Sequence, residues 1–336
     1  MSHLLEPYLA HLPTSLRALP WRGLPLDGKL LLFERSSGLN ILLEGQETAA
    51  LRQTAPRTLL IAVTNHCNLS CPFCYRDQSS ASTWNFDDLL GFCQAADRWG
   101  VLEVAFGGGE PLLFPRWAAF IEALYTTTKL AINFTTNGSL LRPAFLQRVG
   151  PKLGQIRLSL YDDNDYRSTL KLLRAAPVRY GVNWLITPQA LAHAEATLAD
   201  LLAHGVQDFL LLRYKGPDRH LNLDQTQSAE LAAFVRQAHA ALGSQISLKV
   251  GSCWGSTLDG VPRLFDHHDC GAGVAFLSIT SDKQVKPCSF HHWTAPFQTF
   301  EDVRRIWQDL RDQPQPAYLA GCARRPAQIT LQIYNS

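Results

Sequence analysis

Short apolar runs alternate with amphipathic segments from residue 58 onward, which predicts strands and helices in regular succession. The run "TLLIAVTN" predicts a buried strand, and "NFDDLLGFCQAADRWG" predicts a helix that begins after the cap Asn85 and ends at Gly100. Five further strand–helix pairs follow, with the strands "VLEVAFGG", "KLAINFTTNG", "QIRLSLYD", "RYGVNWLIT" and "VQDFLLLRY". These strands are too apolar to expose one face to water, which favours a parallel sheet covered on both sides. The pattern predicts an α/β fold of six units, either an open doubly wound sheet or a partial barrel.

The two ends of the chain depart from this alternation. Near the start, "KLLLFERSSGLNILLEG" predicts a hairpin that turns at Ser37 and Gly38, and "QETAALRQ" predicts a short helix. Near the end, "VAFLSITSDKQVKPCSF" predicts a hairpin that turns at residues 281–283, and "FEDVRRIWQDLRDQ" predicts a helix. The predicted domains are an N-terminal hairpin and helix extension (1–56), a strand–helix domain (57–245) and a small C-terminal hairpin-plus-helix domain (246–336).

Composition narrows the class of protein. The chain has 336 residues, of which 46% are hydrophobic and 18% charged, as in ordinary soluble globular proteins. A net charge of +2 gives no electrostatic case for binding nucleic acid or an anionic membrane. The start lacks the pattern of a secretory signal, and no run approaches the length of a membrane span. We therefore expect a cytoplasmic protein, in which eight reduced cysteines indicate metal binding or chemistry rather than disulfides.

Three cysteines lie within eight positions in "TNHCNLSCPFCYRD", with the spacing Cys67-x3-Cys71-x2-Cys74. Structural zinc usually takes four ligands, commonly as two pairs, and no second pair or suitably spaced histidine lies nearby. Three thiolates on one short loop instead suit a cubane [4Fe–4S] cluster, because they hold three irons and leave the fourth open to another ligand.

Five further cysteines lie outside this loop. Cys93 falls in an apolar stretch of the first predicted helix, which indicates a small core residue. Four others lie in the irregular C-terminal part: Cys253, Cys270, Cys288 and Cys322. Four thiolates are a full shell for one more [4Fe–4S] cluster or for zinc, and scattered core cysteines are the structural alternative. His291 and His292 are alternative ligands, although exposed or supporting roles suit them better.

The cysteine motif CxxxCxxC, with the aromatic Phe73 before the last cysteine, resembles the radical S-adenosylmethionine (SAM) superfamily. The resemblance implies a partial (β/α)6 TIM-like barrel and an enzyme whose open iron binds the amino and carboxylate groups of SAM. One electron from the cluster then splits SAM into methionine and a 5′-deoxyadenosyl radical, which abstracts a hydrogen atom. It also implies a reducing partner such as flavodoxin or ferredoxin.

Polar residues and glycines recur where the predicted strands end, which is where barrel enzymes place their active sites. "GGGEP" resembles the family's GGE motif and implies that Glu110 accepts from the amino group of SAM. Ser159 matches a polar residue that contacts the ribose or carboxylate of SAM, and Arg213 could equally hold a substrate carboxylate. The predicted cofactor-binding residues are Phe73, Tyr75, Gly107, Gly108, Gly109, Glu110, Thr136, Asn137, Ser159, Asn183 and Arg213. No residue is assigned as the catalytic acid, base or hydrogen donor.

The C-terminal cysteines resemble the SPASM extension of this family, or its shorter form, twitch. The match covers residues 253–322 but lacks the CxxC pair of a full SPASM, and residues 282–284 ("DKQ") stand where a turn glycine is usual. The resemblance therefore implies one auxiliary [4Fe–4S] cluster, closer to twitch.

Family members with this extension mostly oxidise or cross-link side chains of ribosomally made peptides, or oxidise protein residues or small sugars. The resemblance implies oxidative modification of such a precursor peptide, with the N-terminal hairpin either capturing its leader by strand addition or merely capping the barrel floor. Competing hypotheses are peptide epimerisation or excision, radical oxidation or rearrangement of a small metabolite, and a zinc or iron–sulfur binding module without catalysis.

Overall fold

Most of the chain folds into two β-sheets with helices around the larger one. The computed structural model describes residues 8–10, 12–76, 79–161, 165–216, 218–258, 261 and 270–312. The strands are β1 Arg22–Leu26, β2 Lys29–Phe33, β3 Asn40–Glu44, β4 Thr58–Thr64, β5 Glu103–Gly108, β6 Ala131–Thr136, β7 Gln155–Leu160, β8 Tyr180–Ile186, β9 Asp208–Arg213, β10 Ser247–Val250, β11 Phe276–Ile279, β12 Gln284–Lys286 and β13 Ala295–Pro296. The helices are α1 Thr14–Arg17, α2 Phe86–Trp99, α3 Trp117–Thr127, α4 Pro143–Val149, α5 Tyr166–Arg174, α6 Pro188–Ala192, α7 Ala194–Ala203, α8 Gln225–Leu242 and α9 Phe300–Asp312.

The larger sheet has ten strands in the order β10-β9-β8-β7-β6-β5-β4-β11-β12-β13. All neighbours from β10 to β11 in this order pair in parallel, so eight strands run the same way. The six predicted strand–helix units are confirmed as β4 to β9 with their following helices, and α2 begins and ends as predicted. The Asn85 side chain accepts from the Asp88 N–H at 2.9 Å, and Gly100 ends the helix at a φ of 113°. This open, sequentially ordered parallel sheet is a partial TIM-like barrel.

One face of the barrel strands is more polar than the sequence predicted. Alternate residues are buried against the helices, with Phe106 and Phe134 in the main core, whereas the residues between them are only half-buried. Charged side chains on this second face pair across strands: Arg157 with Asp208 at 2.8 Å, and Arg57 with Glu103 at 2.8 Å. No residue of β4–β9 is exposed, so neither face of these strands is open to water, and cross-strand partners satisfy the charges on the half-buried face.

The N-terminal sheet, in the order β1-β2-β3, is antiparallel and lies at the N-terminal end of the barrel strands. The predicted hairpin is present as β2 and β3, and β1 adds a third strand; the predicted short helix is only a 3₁₀ turn, Gln46–Thr48. Leu31 and Phe33 pack with Leu102 and Ala131, the residues just before β5 and at the start of β6. This sheet therefore covers the barrel floor, which favours the capping alternative.

The C-terminal hairpin joins the barrel sheet directly. β11 pairs with β12 in antiparallel fashion, as predicted, and also with β4 in parallel. Lys283, in the segment where a turn glycine is usual, has a φ of 60°, and its Nζ lies 2.7 Å from Asp88 Oδ2 on α2. The predicted boundary at 245/246 falls between β9 and β10, which also pair, so the division into domains stays a prediction. No helix in the described ranges is long and apolar enough to cross a membrane.

Candidate active site

The three clustered cysteines lie on the loop that leaves the C-terminal end of β4. Hydrogen bonds fix both ends of this cysteine loop, defined as residues 65–76. Arg76 Nη1 donates to the Asn65 carbonyl at 3.0 Å and also to the Asn65 side chain. Asn65 N–H donates to Ser82 Oγ at 2.7 Å, and its side-chain Nδ2 donates to the Ser80 carbonyl at 2.8 Å. The loop is therefore held at its base, and its tip carries the thiols.

The three thiols of the cysteine loop lie within electrostatic range of one another. Cys67 is exposed, Cys71 and Cys74 are half-buried, and the Cys74 N–H donates to the Cys71 carbonyl at 3.0 Å. Burial raises the pKa of the Cys71 thiol, and the thiolates of Cys67 and Cys74 raise it further; a hydrogen bond from Tyr161 partly offsets this. A cationic metal cluster bound at these thiols would stabilise the ionised form of Cys71.

The glycine loop after β5 passes directly against the base of the cysteine loop. Gly109 N–H donates to the Thr64 carbonyl at 2.7 Å, and Glu110 N–H donates to the His66 carbonyl at 2.9 Å. A Cβ added at Gly109 would lie 1.8 Å from the His66 carbonyl oxygen, and one at Gly108 would lie 2.4 Å from the Thr64 carbonyl oxygen. Nothing lies within 4 Å of a Cβ at Gly107. Two of the three glycines thus allow a close approach of backbone to backbone.

Glu110 is a buried carboxylate, 1% exposed, that joins the loops after β5 and β6. Its Oε1 accepts from Thr136 Oγ1 at 2.8 Å and from the Leu112 N–H at 3.2 Å, and its Oε2 accepts from the Asn137 N–H at 2.9 Å. Burial raises the pKa of Glu110, although these hydrogen bonds partly offset it. A carboxylate can accept about four hydrogen bonds, so Glu110 retains capacity for one more donor.

Asn68 joins the cysteine loop to the loop after β6, a role that was not predicted from the sequence. Asn137 Nδ2 donates to Asn68 Oδ1 at 3.0 Å, and Asn68 Nδ2 donates to Ser139 Oγ at 2.8 Å. The predicted residues Glu110, Thr136 and Asn137 are therefore brought together beside the cysteine loop. Since Asn68 lies between two cysteines in a segment without periodicity, only the folded structure identifies its partner.

The strands β7 and β8 add a second group of predicted residues. Ser159 lies opposite Asn183 in the sheet, and Asn183 Oδ1 accepts from Arg157 Nε at 2.5 Å. Phe73, on the cysteine loop, packs against Tyr161 just after β7, with ring centroids 4.8 Å apart. Tyr161 was not among the predicted residues.

Arg213, at the end of β9, contacts the segment that follows β10. Its Nη1 donates to Thr257 Oγ1 at 3.3 Å, and its guanidinium carbon lies 5.9 Å from the centre of the Trp254 ring. These contacts hold Arg213 at the mouth of the barrel, on the far side of β8 from β7.

An aromatic pair joins the cysteine loop to the end of the C-terminal hairpin. Tyr75 and Phe290 are 47% and 38% exposed, and their ring centroids are 4.5 Å apart. The Tyr75 hydroxyl also forms a hydrogen bond with Ser289, next to Cys288. The hairpin thus places one of the C-terminal cysteines beside the cysteine loop.

The C-terminal cysteines that were predicted to hold an auxiliary cluster are not seen together as a metal site in the described part of the chain. Cys253, Cys270 and Cys288 are half-buried, and Cys322 lies outside the described residues. Within the described ranges, which include Cys67, Cys71 and Cys74, no three His, Cys, Asp or Glu residues are grouped so as to hold a single metal ion. Cys93 is fully buried, as predicted for a core residue, and the alternative ligand His292 is exposed. The auxiliary cluster therefore stays a prediction.

Comparison with known sequences identifies relatives of the barrel region. The sequence profile described as "Radical SAM superfamily" matches residues 61–209. A probable GTP 3′,8-cyclase of Methanothermobacter marburgensis is 32% identical over 113 residues, which are 31% of this chain and 37% of that protein. The corresponding protein of Methanocaldococcus jannaschii is 30% identical over 115 residues, or 31% of this chain and 39% of that protein. The chain thus matches less than half the length of these curated relatives.

Comparison with solved structures extends the similarity of fold beyond the barrel. SuiB of Streptococcus suis bound to S-adenosylmethionine has a TM-score of 0.68 at 14% identity, covering 90% of this chain and 92% of that chain. SuiB bound to the precursor peptide SuiA has a TM-score of 0.63 at 17% identity, covering 76% and 65%. Native anSMEcpe with bound AdoMet has a TM-score of 0.59 at 17% identity, covering 76% and 80%. Residues 61–209 of the chain therefore match the radical SAM superfamily, and the solved structures share the fold of the chain.

Proposed function

We propose that Cys67, Cys71 and Cys74 hold a [4Fe–4S] cluster and that the protein cleaves SAM reductively. The match to the superfamily over residues 61–209 implies this cluster and SAM. Three thiols on one loop suit this cluster, and its positive charge would stabilise the ionised form of Cys71, whose pKa is raised by burial and by the neighbouring thiolates. When bound, the cluster and SAM supply the 5′-deoxyadenosyl radical for hydrogen abstraction, and a reduced flavodoxin or ferredoxin is the proposed electron donor.

The residues at the strand ends are proposed to position SAM. Glu110 lies beneath the cysteine loop with one acceptor position to spare, and so suits the ammonium group of SAM. Thr136 and Asn137 hold this carboxylate in place through their hydrogen bonds to it. Ser159, which is paired with Asn183 across β7 and β8, is proposed to contact the ribose or carboxylate of SAM.

Replacing Glu110 by glutamine is expected to weaken SAM binding by ~10- to 100-fold, since a charged hydrogen bond becomes a neutral one. Wild-type affinity should also fall as the pH is lowered through the raised pKa of Glu110, because protonation removes the negative charge. Equilibrium dialysis of labelled SAM on the reconstituted protein measures both effects. Glu122→Gln is the matched control, because it makes the same substitution at an ion pair on the surface, between Glu122 on α3 and Arg148 on α4. Unchanged affinity in Glu110→Gln at equal iron content would assign the ammonium to another residue.

The proposed substrate is a ribosomally made peptide that undergoes oxidation of a side chain. The observation that carries this proposal is the junction at the barrel mouth, where Tyr75 and Phe290 form an exposed aromatic pair. Exposed aromatic pairs at the mouth of a site suit the apolar side chains of a peptide better than a fully enclosed metabolite. In support, structures of the same fold contain a bound precursor peptide in one case and Cp18Cys peptide in another.

Incubation with a candidate precursor peptide, SAM and a reductant is expected to give a product lighter by two hydrogens, as for a cross-link or dehydrogenation. High-resolution mass spectrometry of the peptide measures this change, and enzyme incubated without SAM is the control. An unchanged mass with deuterium taken up from solvent would show epimerisation instead, and a larger loss that includes backbone atoms would show excision.

A small metabolite is the second candidate substrate, because the sequence relatives over the barrel are named as probable GTP 3′,8-cyclases. Offering GTP in place of the peptide under the same conditions separates the two candidates. Conversion of GTP with no change in the peptide would favour the metabolite.

A further inference from the structure

Tyr161 contacts the cysteine loop at two points. It directly follows β7, and its ring lies against Phe73 with centroids 4.8 Å apart. Its hydroxyl forms a hydrogen bond with the Cys71 thiol, the middle one of the three proposed ligands. The contact with Phe73 orients the Tyr161 side chain. Ring packing and the hydrogen bond therefore both keep the Tyr161 hydroxyl next to the Cys71 sulfur.

The hydroxyl of Tyr161 is held in its protonated form. The phenol of an ordinary tyrosine has a pKa of about 10, so the hydroxyl of Tyr161 carries its proton at neutral pH. The phenol is therefore the donor, and the sulfur of Cys71, a thiolate when it binds the cluster, is the acceptor.

We propose that Tyr161 is a positioning residue that sets the reduction potential of the cluster through Cys71. Hydrogen bonds to the sulfur ligands are one of the factors that tune iron–sulfur potentials. One-electron reduction adds negative charge to the cluster and its thiolates, so a donor at Cys71 stabilises the reduced state more than the oxidised state. The bond therefore makes the potential less negative and eases transfer of one electron from a reduced flavodoxin or ferredoxin. No proton is transferred, and no bond is formed or broken at Tyr161.

This proposal rests on the proposed cluster, and a single variant isolates the hydroxyl. Tyr161→Phe removes the donor but retains the ring against Phe73. Tyr166→Phe is the matched control, because it removes the hydroxyl that lies 2.7 Å from Asp200 Oδ2, a pair between α5 and α7 on the outside of the barrel. Both variants are reconstituted anaerobically, their iron is quantified, and they are titrated with dithionite in the presence of redox mediators. The cluster of the cysteine loop is the one whose EPR signal changes when SAM is added, and the intensity of that signal during the titration gives its midpoint potential.

The expected result is a more negative midpoint potential in Tyr161→Phe than in wild type and in Tyr166→Phe. The measurement stands even where Tyr161→Phe assembles less cluster, because the EPR titration follows only the clusters that have formed. An unchanged potential in Tyr161→Phe would overturn the role of Tyr161 and leave the proposed function intact. If reconstituted wild type shows no reducible cluster at all, the proposed function itself fails.

Discussion

Changing Cys67, Cys71 and Cys74 together to alanine is expected to abolish the formation of 5′-deoxyadenosine while leaving the protein folded. The cysteine loop is held at its base by Arg76, Asn65 and their partners rather than by the thiols, so the apoprotein retains the barrel. With one cluster on this loop and one auxiliary cluster, wild type should contain about eight irons per chain and the triple variant about four. Iron analysis and chromatography of the SAM products measure both outcomes.

Cys93→Ala is the matched control for this experiment. Its thiol is fully buried on α2, outside the cysteine loop, so the substitution leaves a small cavity that costs about 1 kcal/mol. It should retain full iron and normal SAM cleavage. Normal SAM cleavage by the triple variant would contradict the assignment of the cluster to these cysteines. If wild type contains only about four irons, or contains zinc, only the proposal of an auxiliary cluster is contradicted.

Gly109→Ala is expected to be the most destabilising single methyl addition at the site. The new Cβ would lie 1.8 Å from the carbonyl oxygen of His66, which is backbone and cannot rotate away. Relief requires the loops after β4 and β5 to separate, which breaks the bonds from Gly109 N–H to Thr64 and from Glu110 N–H to His66. We expect a loss of more than about 3 kcal/mol in the free energy of unfolding, beyond the usual range for overpacking. Denaturant unfolding of the apoprotein measures this loss.

Gly107→Ala tests whether the effect arises from that contact. It adds the same methyl group two residues earlier, where nothing lies within 4 Å of the new Cβ. Its free energy of unfolding should stay within about 1 kcal/mol of wild type, because the backbone there does not require glycine. Equal losses in the two variants would mean that the loop tolerates no alanine for a reason other than the approach to His66.

The strands and helices of the barrel could be predicted because the signals for each one lie within a short segment of the sequence. The limits of α2 follow from Asn85 and Gly100, and the strand order follows from the regular alternation of strand and helix. The polar face inside the barrel could not be predicted in this way. Arg157 is tolerated there because Asp208 and Asn183 lie on other strands, and no short segment contains all three.

The same limit applies to the site. The cysteine spacing and "GGGEP" each lie within one segment and were recognisable from the sequence. Asn68 and Tyr161 act through partners on other loops, so their types and positions gave no signal. The glycines of "GGGEP" illustrate both cases. The sequence indicated that they allow a ligand to approach closely, and the structure shows that Gly108 and Gly109 lie against the backbone of Thr64 and His66.

The parallel pairing of β11 with β4 has a consequence for how the chain folds. Phe276 lies opposite Thr58, so the first strand of the barrel receives its second neighbour only after nearly all of the barrel has been synthesised. Until then the outer edge of β4 presents unpaired backbone N–H and C=O groups, which can template wrong pairing between nascent chains. Contacts this distant in sequence also slow folding, because the long loop must close before the pairing stabilises it. The cysteine loop follows directly from β4, so the loop that carries the thiols reaches its final setting late, when the C-terminal hairpin has docked.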